Sequence, residues 1–287
     1  MLAQANHLWF TRVADGCRIK ANIYLRELLN MKFLVLGIGG DARYGYVAKA
    51  LADDGYTVTK DPSEADVVIL PFQAVAEDGI HVWGTDEVYA EIMAKVPAHA
   101  LVCGANAPDR EVLNYLAEPG MKYFNGICTA EGALTLAMQH SKKTIWNSNC
   151  LVLGNGHIGN YLAQILRGMG AKVTQASRSV EGISHAFAYG NQGIHLNEVK
   201  NVMAQQDIIF NSIPAMVLGE EELKAIREDA VLVEIAAGRK GFDQELAKSL
   251  GVHFVQGVKL PGNFCPDTAG RAIAEAVLRL IAEAKAE

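Results

Sequence analysis

Gly154-Asn155-Gly156-His157-Ile158-Gly159 follows the apolar run Cys150-Leu151-Val152-Leu153 and opens a stretch in which Ile158, Leu162, Ile165, Leu166 and Met169 recur at helical spacing. A strand, a tight glycine turn and a helix, in that order, are the context in which G-x-G-x-x-G signals a dinucleotide. The alternative is a glycine-rich turn without a ligand. Gly154 permits the turn, Gly156 lets backbone approach a pyrophosphate, and Gly159 lets helix and strand pack closely. The helix N-terminus then faces the phosphate charge. Asn155, His157 and Ile158 complete the expected cofactor contacts, and His157 suits either diphosphate contact or simple exposure.

Gly168 and Gly170 end that helix, and 171–176 reads as the next strand. Where an NAD site usually carries an Asp or Glu, about 20 residues on, for the ribose 2′-hydroxyl, this chain has Ser177-Arg178-Ser179. Two hydroxyls and a guanidinium suit a 2′-phosphate, so NADP is expected over NAD. The alternative for Arg178 is a solvated loop arginine. Asn211-Ser212-Ile213-Pro214 leaves a later strand at its carboxyl end and is placed to line the nicotinamide, with Pro214 fixing the turn.

The 287 residues suit one large domain or two ordinary ones. A net charge of −6 argues against nucleic acid or an anionic membrane as the main partner. No apolar run approaches the ~18 residues that span a bilayer. Cysteines 17, 103, 128, 150 and 265 are scattered without a C-x-x-C pair, a reducing-compartment pattern. His185, His195 and His253 have no carboxylate or cysteine at ligand spacing, so no metal is expected. Residues 1–30 lack the apolar core of a signal peptide and read as an upstream extension or a mis-assigned start, with a helix-forming stretch at 23–29.

From residue 31 strand-like runs at 33–36, 56–59, 67–70, 100–102 and 122–124 alternate with helical stretches near 45–54, 86–94 and 109–117. That pattern means βαβ units, and five strands predict a flavodoxin-like first domain over 31–128. A second series at 151 onward, 172–176, 207–211, 231–235 and 252–255, with a short strand near Ile194, predicts a Rossmann NADP-binding domain over 144–267. Residues 129–143 read as a buried connecting helix, and 268–286 as a helix returning to the first domain. The expected fold is thus α/β, two doubly wound domains with a ligand cleft at the carboxyl ends of the strands.

Gly39-Gly40-Asp41-Ala42-Arg43, Thr129-Ala130-Glu131-Gly132 with Gln139-His140, Asn211-Ser212-Ile213-Pro214, and Leu260-Pro261-Gly262 before Pro266-Asp267-Thr268-Ala269-Gly270 occur in this order. Together, over about 31–286, they resemble the dipicolinate synthase A-subunit family of spore-forming bacteria. This chain has Cys128 where that pattern has a proline, and Ala237-Gly238-Arg239-Lys240-Gly241 where it has Ser-Arg-Pro-Gly-Gly. The resemblance implies an NADP-linked oxidation of hydroxytetrahydrodipicolinate, or its dihydro form, to pyridine-2,6-dicarboxylate. It places the chain in the cytoplasm of the sporulating mother cell. As partner it implies the flavoprotein-like B-subunit of dipicolinate synthase, and it leaves room for a homo-oligomer.

A small dicarboxylate substrate needs cationic or amide donors, and the reaction needs a hydride path and a base. Arg43 is the expected anchor, the alternative being a surface arginine paired with Asp41 or Asp61. Asp41 orients Arg43 or caps its helix. Lys259 is a second anchor candidate and Thr129 a further substrate contact. Glu131, read in the first turn of the connecting helix, is either a carboxylate favoured by the helix end or a general base. His140, read one turn short of the helix end, is either dipole-favoured or the proton acceptor. Two other functions share this scaffold: an NADP-dependent dehydrogenase of another 2-hydroxy or 2-amino acid, and a non-catalytic NADP-binding regulatory protein.

Overall fold

The computed structural model describes residues 28–236, 238 and 240–285; the 23–29 helix expectation falls largely outside them, as does Arg239. The chain divides into two compact units, one running to Lys122 and resuming at Pro266, the other Tyr123–Cys265.

In the first unit β1 (Lys32–Val35) is apolar on both faces, as a central parallel strand must be. α1 (Ala42–Asp53) follows, then β2 (Thr57–Thr59), β3 (Val67–Ile69), α2 (Tyr89–Met93) and β4 (Leu101–Cys103). All pairings are parallel, in the order β2-β1-β3-β4. Tyr44, Val47 and Leu51 recur on one face of α1 and are fully buried. They share a core with Ile273, Val277 and Ile281 of the last helix. That helix, Pro266–Ala284, does return to this unit as expected. Gly270 sets the approach: a Cβ there would lie 2.6 Å from the Arg43 carbonyl oxygen and the Tyr46 Cβ.

Two expectations are corrected. The described residues of this unit hold four strands, not five, because 122–124 lies inside a helix, α3 (Pro119–His140). Tyr123 and Phe124 favour strands, but helical packing overrides that preference and leaves both rings exposed. The 109–117 stretch is not helical: Leu113 bridges to Cys103, and Tyr115 turns into the core. α3 therefore starts at Pro119, where a missing N–H costs nothing, ten residues before the expected start of the connecting helix.

The second unit carries β5 (Asn149–Leu153), α4 (His157–Gly168), β6 (Lys172–Ser177), α5 (Val180–Ala188), β7 (Gln192–His195) and α6 (Val199–Met203). Then come β8 (Ile208–Asn211), α7 (Glu220–Lys224), β9 (Val231–Glu234), α8 (Gln244–Ser249), β10 (Phe254–Gln256) and α9 (Leu260–Phe264), with the final helix as α10. The parallel sheet runs β10-β9-β8-β5-β6-β7. The chain winds outward through β6 and β7, then resumes at β8 on the other side of β5. The carboxyl ends of β5 and β8 are therefore the switch point where such sheets bind ligands. Each sheet face is apolar, one under α3, α4 and α9, the other under α6 to α8. At the opposite, amino end, Asp207 joins strands and surface: it accepts from Asn149 N at 2.8 Å, Lys143 Nζ at 2.6 Å and Arg227 Nη2 at 2.9 Å.

Candidate functional site

The glycines of the second unit differ in what surrounds them. Gly154 has φ +109°, a region side chains avoid, and its Cβ would sit 2.5 Å from Ser212 Oγ. A Cβ on Gly159 would lie 2.5 Å from the Gly154 carbonyl oxygen. A Cβ on Gly156 would meet nothing within 4 Å. Two glycines are thus required by packing, and the third keeps a space beside the N-terminus of α4 open. That open cradle fits a diphosphate. His157 begins α4, exposed, with its ring 4.4 Å from that of Tyr123 on α3. Gly126 lies one turn along α3, where an added Cβ would come within 3.6 Å of His157 Cβ.

At the end of β6 the three expected 2′-phosphate residues separate. Ser177 is buried and donates to Asn155 Oδ1 at 3.1 Å. Ser179 caps α5, accepting from Gly182 N at 3.1 Å. Ser177 thus spends its proton on Asn155, whereas exposed Ser179 only accepts from Gly182 and keeps its hydroxyl proton. Arg178 is exposed and makes no ion pair among the described residues. It is a cation at this rim, with Glu181 in the first turn of α5 the nearest carboxylate along the chain.

After β8, Asn211 is fully buried and Ser212 donates to the Leu153 carbonyl at 2.8 Å, so the 211–214 turn leans on the glycine turn. Ile213 lies close enough that a Cβ on Gly154 would be 3.1 Å from its Cγ1. Asn211 Nδ2 donates to both carboxylate oxygens of Glu234, at 2.9 and 3.1 Å. Glu234 ends β9 at 1% exposure and also accepts from Ala236 N and Gly241 N, each at 2.9 Å. Burial pushes its carboxyl above the ordinary range, against the pull of those N–H groups. Sequence reasoning passed over Glu234; its signal was a lone carboxylate inside the apolar run Val231-Leu232-Val233-Glu234-Ile235.

Glu131 is not in a first turn but in the middle of α3, so the helix dipole does not account for it. It is exposed; Tyr161 OH donates to it at 3.4 Å and the Cys265 thiol lies 3.9 Å away. Cys128, in the expected proline position, is buried, and burial pushes its thiol up to about 12. The Thr129 hydroxyl donates back to the Asn125 carbonyl at 2.6 Å, so its proton serves the helix. Lys259 caps α9 in a left-handed conformation, φ 51°, a strained state for a side-chain-bearing residue. His140 is the last residue of α3, not one turn short of the end. Its ring lies 5.6 Å from that of His253, at the amino end of β10. Cofactor motifs occupy the carboxyl ends of these strands. The reading of His140 as proton acceptor is corrected accordingly.

In the first unit Gly37 and Gly39, both with positive φ, turn the chain out of β1. Asp41 does both things expected of it. It caps α1, accepting from Arg43 N at 3.0 Å, and it holds the guanidinium, with Nε at 3.0 Å and Nη2 at 2.7 Å. Arg43 is no surface arginine: it is 4% exposed and lies 4.1 Å over the Phe72 ring. The fork with Asp41 uses Nε and Nη2, and Nη1 takes no part in it. Tyr44, its hydroxyl pushed up to about 12 by burial, accepts from Phe72 N at 2.7 Å. Among the described residues no group of three or more potential metal ligands is found, and no helix is long and apolar enough to cross a membrane.

Comparison with known proteins bears on the fold and on the nucleotide-binding character of the second unit. Residues 129–260 match the D-isomer specific 2-hydroxyacid dehydrogenase NAD binding domain. The dipicolinate synthase A-subunit of Bacillus subtilis (strain 168) is 27% identical over 285 residues, covering 87% of this chain and 96% of that protein. The crystal structure of the Bacillus subtilis dipicolinate synthase A-subunit superposes with a TM-score of 0.76 at 25% identity, over 89% of this chain and 97% of that one. That of the A-subunit from Bacillus halodurans gives 0.75 at 24%, over 89% and 99%. The chain therefore resembles the dipicolinate synthase A-subunit nearly end to end. It carries a dehydrogenase-type NAD(P)-binding domain, as an oxidoreductase would.

Proposed function

We propose that this chain is the dehydrogenase component of a dipicolinate synthase, oxidising a partly reduced, cyclic 2,6-dicarboxylate to pyridine-2,6-dicarboxylate with NADP. The observation that supports it best is the similarity to the dipicolinate synthase A-subunit over almost the whole of both chains. A flavoprotein-like B-subunit partner and a sporulating mother cell belong to the same proposal.

The hydroxytetrahydro ring loses water to give the dihydro form, and the oxidation then takes two hydrogens from that ring, one as hydride and one as a proton. Bound NADP supplies the hydride acceptor at C4 of its nicotinamide. The residues do the rest. Arg178 binds the 2′-phosphate, with Ser177 and Ser179 shaping its rim. The N–H groups around Gly156 and His157 meet the diphosphate. Asn211, Ser212, Ile213 and Pro214 orient the nicotinamide. Glu131, the exposed carboxylate of α3, receives the proton. Lys259 meets one substrate carboxylate. Arg43, held by Asp41, is the carboxylate-binding group proposed for the first unit. Aromatisation drives the step, so orientation is the main demand on the protein.

The test is turnover. The purified chain, alone and with the B-subunit, receives enzymatically made hydroxytetrahydrodipicolinate and NADP, while NADPH and pyridine absorbance are followed. Both signals should rise together; no turnover in either condition sinks the proposal. The match of 129–260 to a 2-hydroxyacid dehydrogenase domain favours one second reading, oxidation of another small 2-hydroxy acid with the same cofactor. A screen of such acids under the same conditions separates the two.

A further inference from the structure

Two segments follow the central strands of the second unit on the cofactor side: the 211–218 loop after β8, and the chain after β9, where Ala236, Gly238, Lys240 and Gly241 are described. Each is built around the same buried carboxylate. Glu234 Oε1 accepts from Ala236 N and Oε2 from Gly241 N, so one side chain holds both ends of the second segment. Both oxygens also accept from Asn211 Nδ2. Asn211 in turn folds the first loop, donating to the Ile213 carbonyl and accepting from Ile213 N, each at 3.1 Å. The Gly241 carbonyl returns the link by accepting from Val217 N and Leu218 N at 2.8 and 2.9 Å. Gly241 must be a glycine here, because a Cβ would lie 2.1 Å from Asn211 Nδ2.

This arrangement is costly to maintain for the fold alone. A carboxylate buried at 1% exposure, without an ion pair among the described residues and with Lys240 Nζ turned to the Ala236 carbonyl at 3.4 Å, loses solvation that amide donors only partly restore. An apolar residue at the end of β9 would continue its Val-Leu-Val pattern more cheaply. What the carboxylate provides is geometry. An acceptor-only group receives three N–H donors at once, which neither an amide nor a hydroxyl can do.

We propose that Glu234 is a positioning residue. By joining the 211–218 loop to the backbone at Ala236 and Gly241 through one carboxylate, it holds the 211–218 surface that receives the nicotinamide half of the cofactor. The inference rests on the NADP reading above and deepens it. Glu234 itself, fully enclosed, touches neither cofactor nor substrate. The adenosine half, seated on Gly154 to Gly159 and Arg178, is independent of it.

That division is what the experiment reads. The full-length native chain, Glu234→Gln and Gly241→Ala are titrated with NADPH, following nicotinamide fluorescence, and with adenosine 2′,5′-bisphosphate, which carries only the adenosine half. Glu234→Gln places an amide NH2 against a donor; Gly241→Ala disturbs the same junction and leaves the carboxylate in place. Both variants should bind the bisphosphate within about threefold of the native chain. Both should bind NADPH about tenfold more weakly and lose most of the fluorescence change. Turnover, where measured, should fall in kcat, with the NADP KM rising by no more than the roughly tenfold loss seen in NADPH binding. A nicotinamide signal unchanged in both variants overturns the inference, and so does an equal loss of both ligands. If Glu234→Gln does not fold, Gly241→Ala alone decides. If the native chain gives no NADPH signal, the cofactor reading falls and takes the inference with it. If the native chain responds and the variants match it, only the inference falls.

Discussion

Gly156 and Gly159 belong to one motif, and their surroundings predict opposite consequences of the same substitution. In Gly159→Ala the new methyl lies 2.5 Å from the Gly154 carbonyl oxygen and 3.0 Å from its carbon, backbone that cannot step aside. Overpacking of this kind costs about 1–3 kcal/mol. Alanine in a helix gains about 1 kcal/mol over glycine. The net expectation is a loss of up to about 2 kcal/mol, read as a Tm lower by up to about 6 °C. In Gly156→Ala the methyl enters open space, and φ −76° and ψ −176° suit any residue. Losing glycine at the helix cap costs up to about 1 kcal/mol, and the stiffer unfolded chain returns about 0.4–1 kcal/mol. The ligand-free Tm should hardly move. The methyl occupies the space the diphosphate needs, displacing at least one charge-assisted bond worth about 1.5–3 kcal/mol. NADPH affinity should therefore fall roughly ten- to a hundredfold. Thermal melts without cofactor and calorimetric titration with NADPH measure the two effects separately. Equal destabilisation by both substitutions, or native affinity in Gly156→Ala, would refute the reasoning.

Arg178→Ala should raise the KM for NADP about 10–100-fold and leave that for NAD nearly unchanged; equal effects in steady-state kinetics contradict the 2′-phosphate assignment. Tyr123→Ala should weaken NADPH binding about 2–10-fold by releasing the His157 ring, and Tyr123→Phe should restore it; fluorescence titration of both variants checks this. Asp41→Ala leaves the Arg43 guanidinium buried without its carboxylate and should cost about 3–5 kcal/mol in urea unfolding. Burial alone would raise the Asp207 carboxyl, but Lys143, Asn149 N–H and Arg227 outweigh it and hold it below the usual range. The folded state then binds fewer protons than the unfolded one. The stability from these bonds is present above the unfolded pKa of about 3.9 and is lost as pH falls through the lower folded value. Asp207→Asn should thus lose about 1–3 kcal/mol near neutral pH and flatten the acid limb of a stability–pH curve.

Glycine geometry and strand alternation are local properties, and the sequence carried them without help. The turn at Gly154 and the cap at Asp41 follow from neighbours within a few residues, whereas the order of the second sheet came only with the tertiary structure. Where distant packing competes with local preference, the reading failed. Tyr123-Phe124 favours a strand by composition, yet α3 takes it. The 109–117 stretch has helical spacing, yet Leu113 pairs with Cys103 and Tyr115 turns inward.

Site residues divide in the same way. A dinucleotide turn, an arginine where an acid usually stands, and a likeness to the dipicolinate synthase A-subunit were determined by the sequence itself, because each depends on residue type and spacing along the chain. Tertiary structure alone decided which of those groups are at hand for a ligand. Ser177 and Ser179 are engaged by Asn155 and Gly182, and Arg43 is clamped by Asp41 over Phe72. His140 lies beside His253 at the amino end of β10, and Glu234 sits unannounced at the meeting of two loops. The physical reason is that a side chain's availability is set by its hydrogen-bond partners and burial. Those come from strands and helices brought together across tens to more than a hundred residues, which no local pattern records.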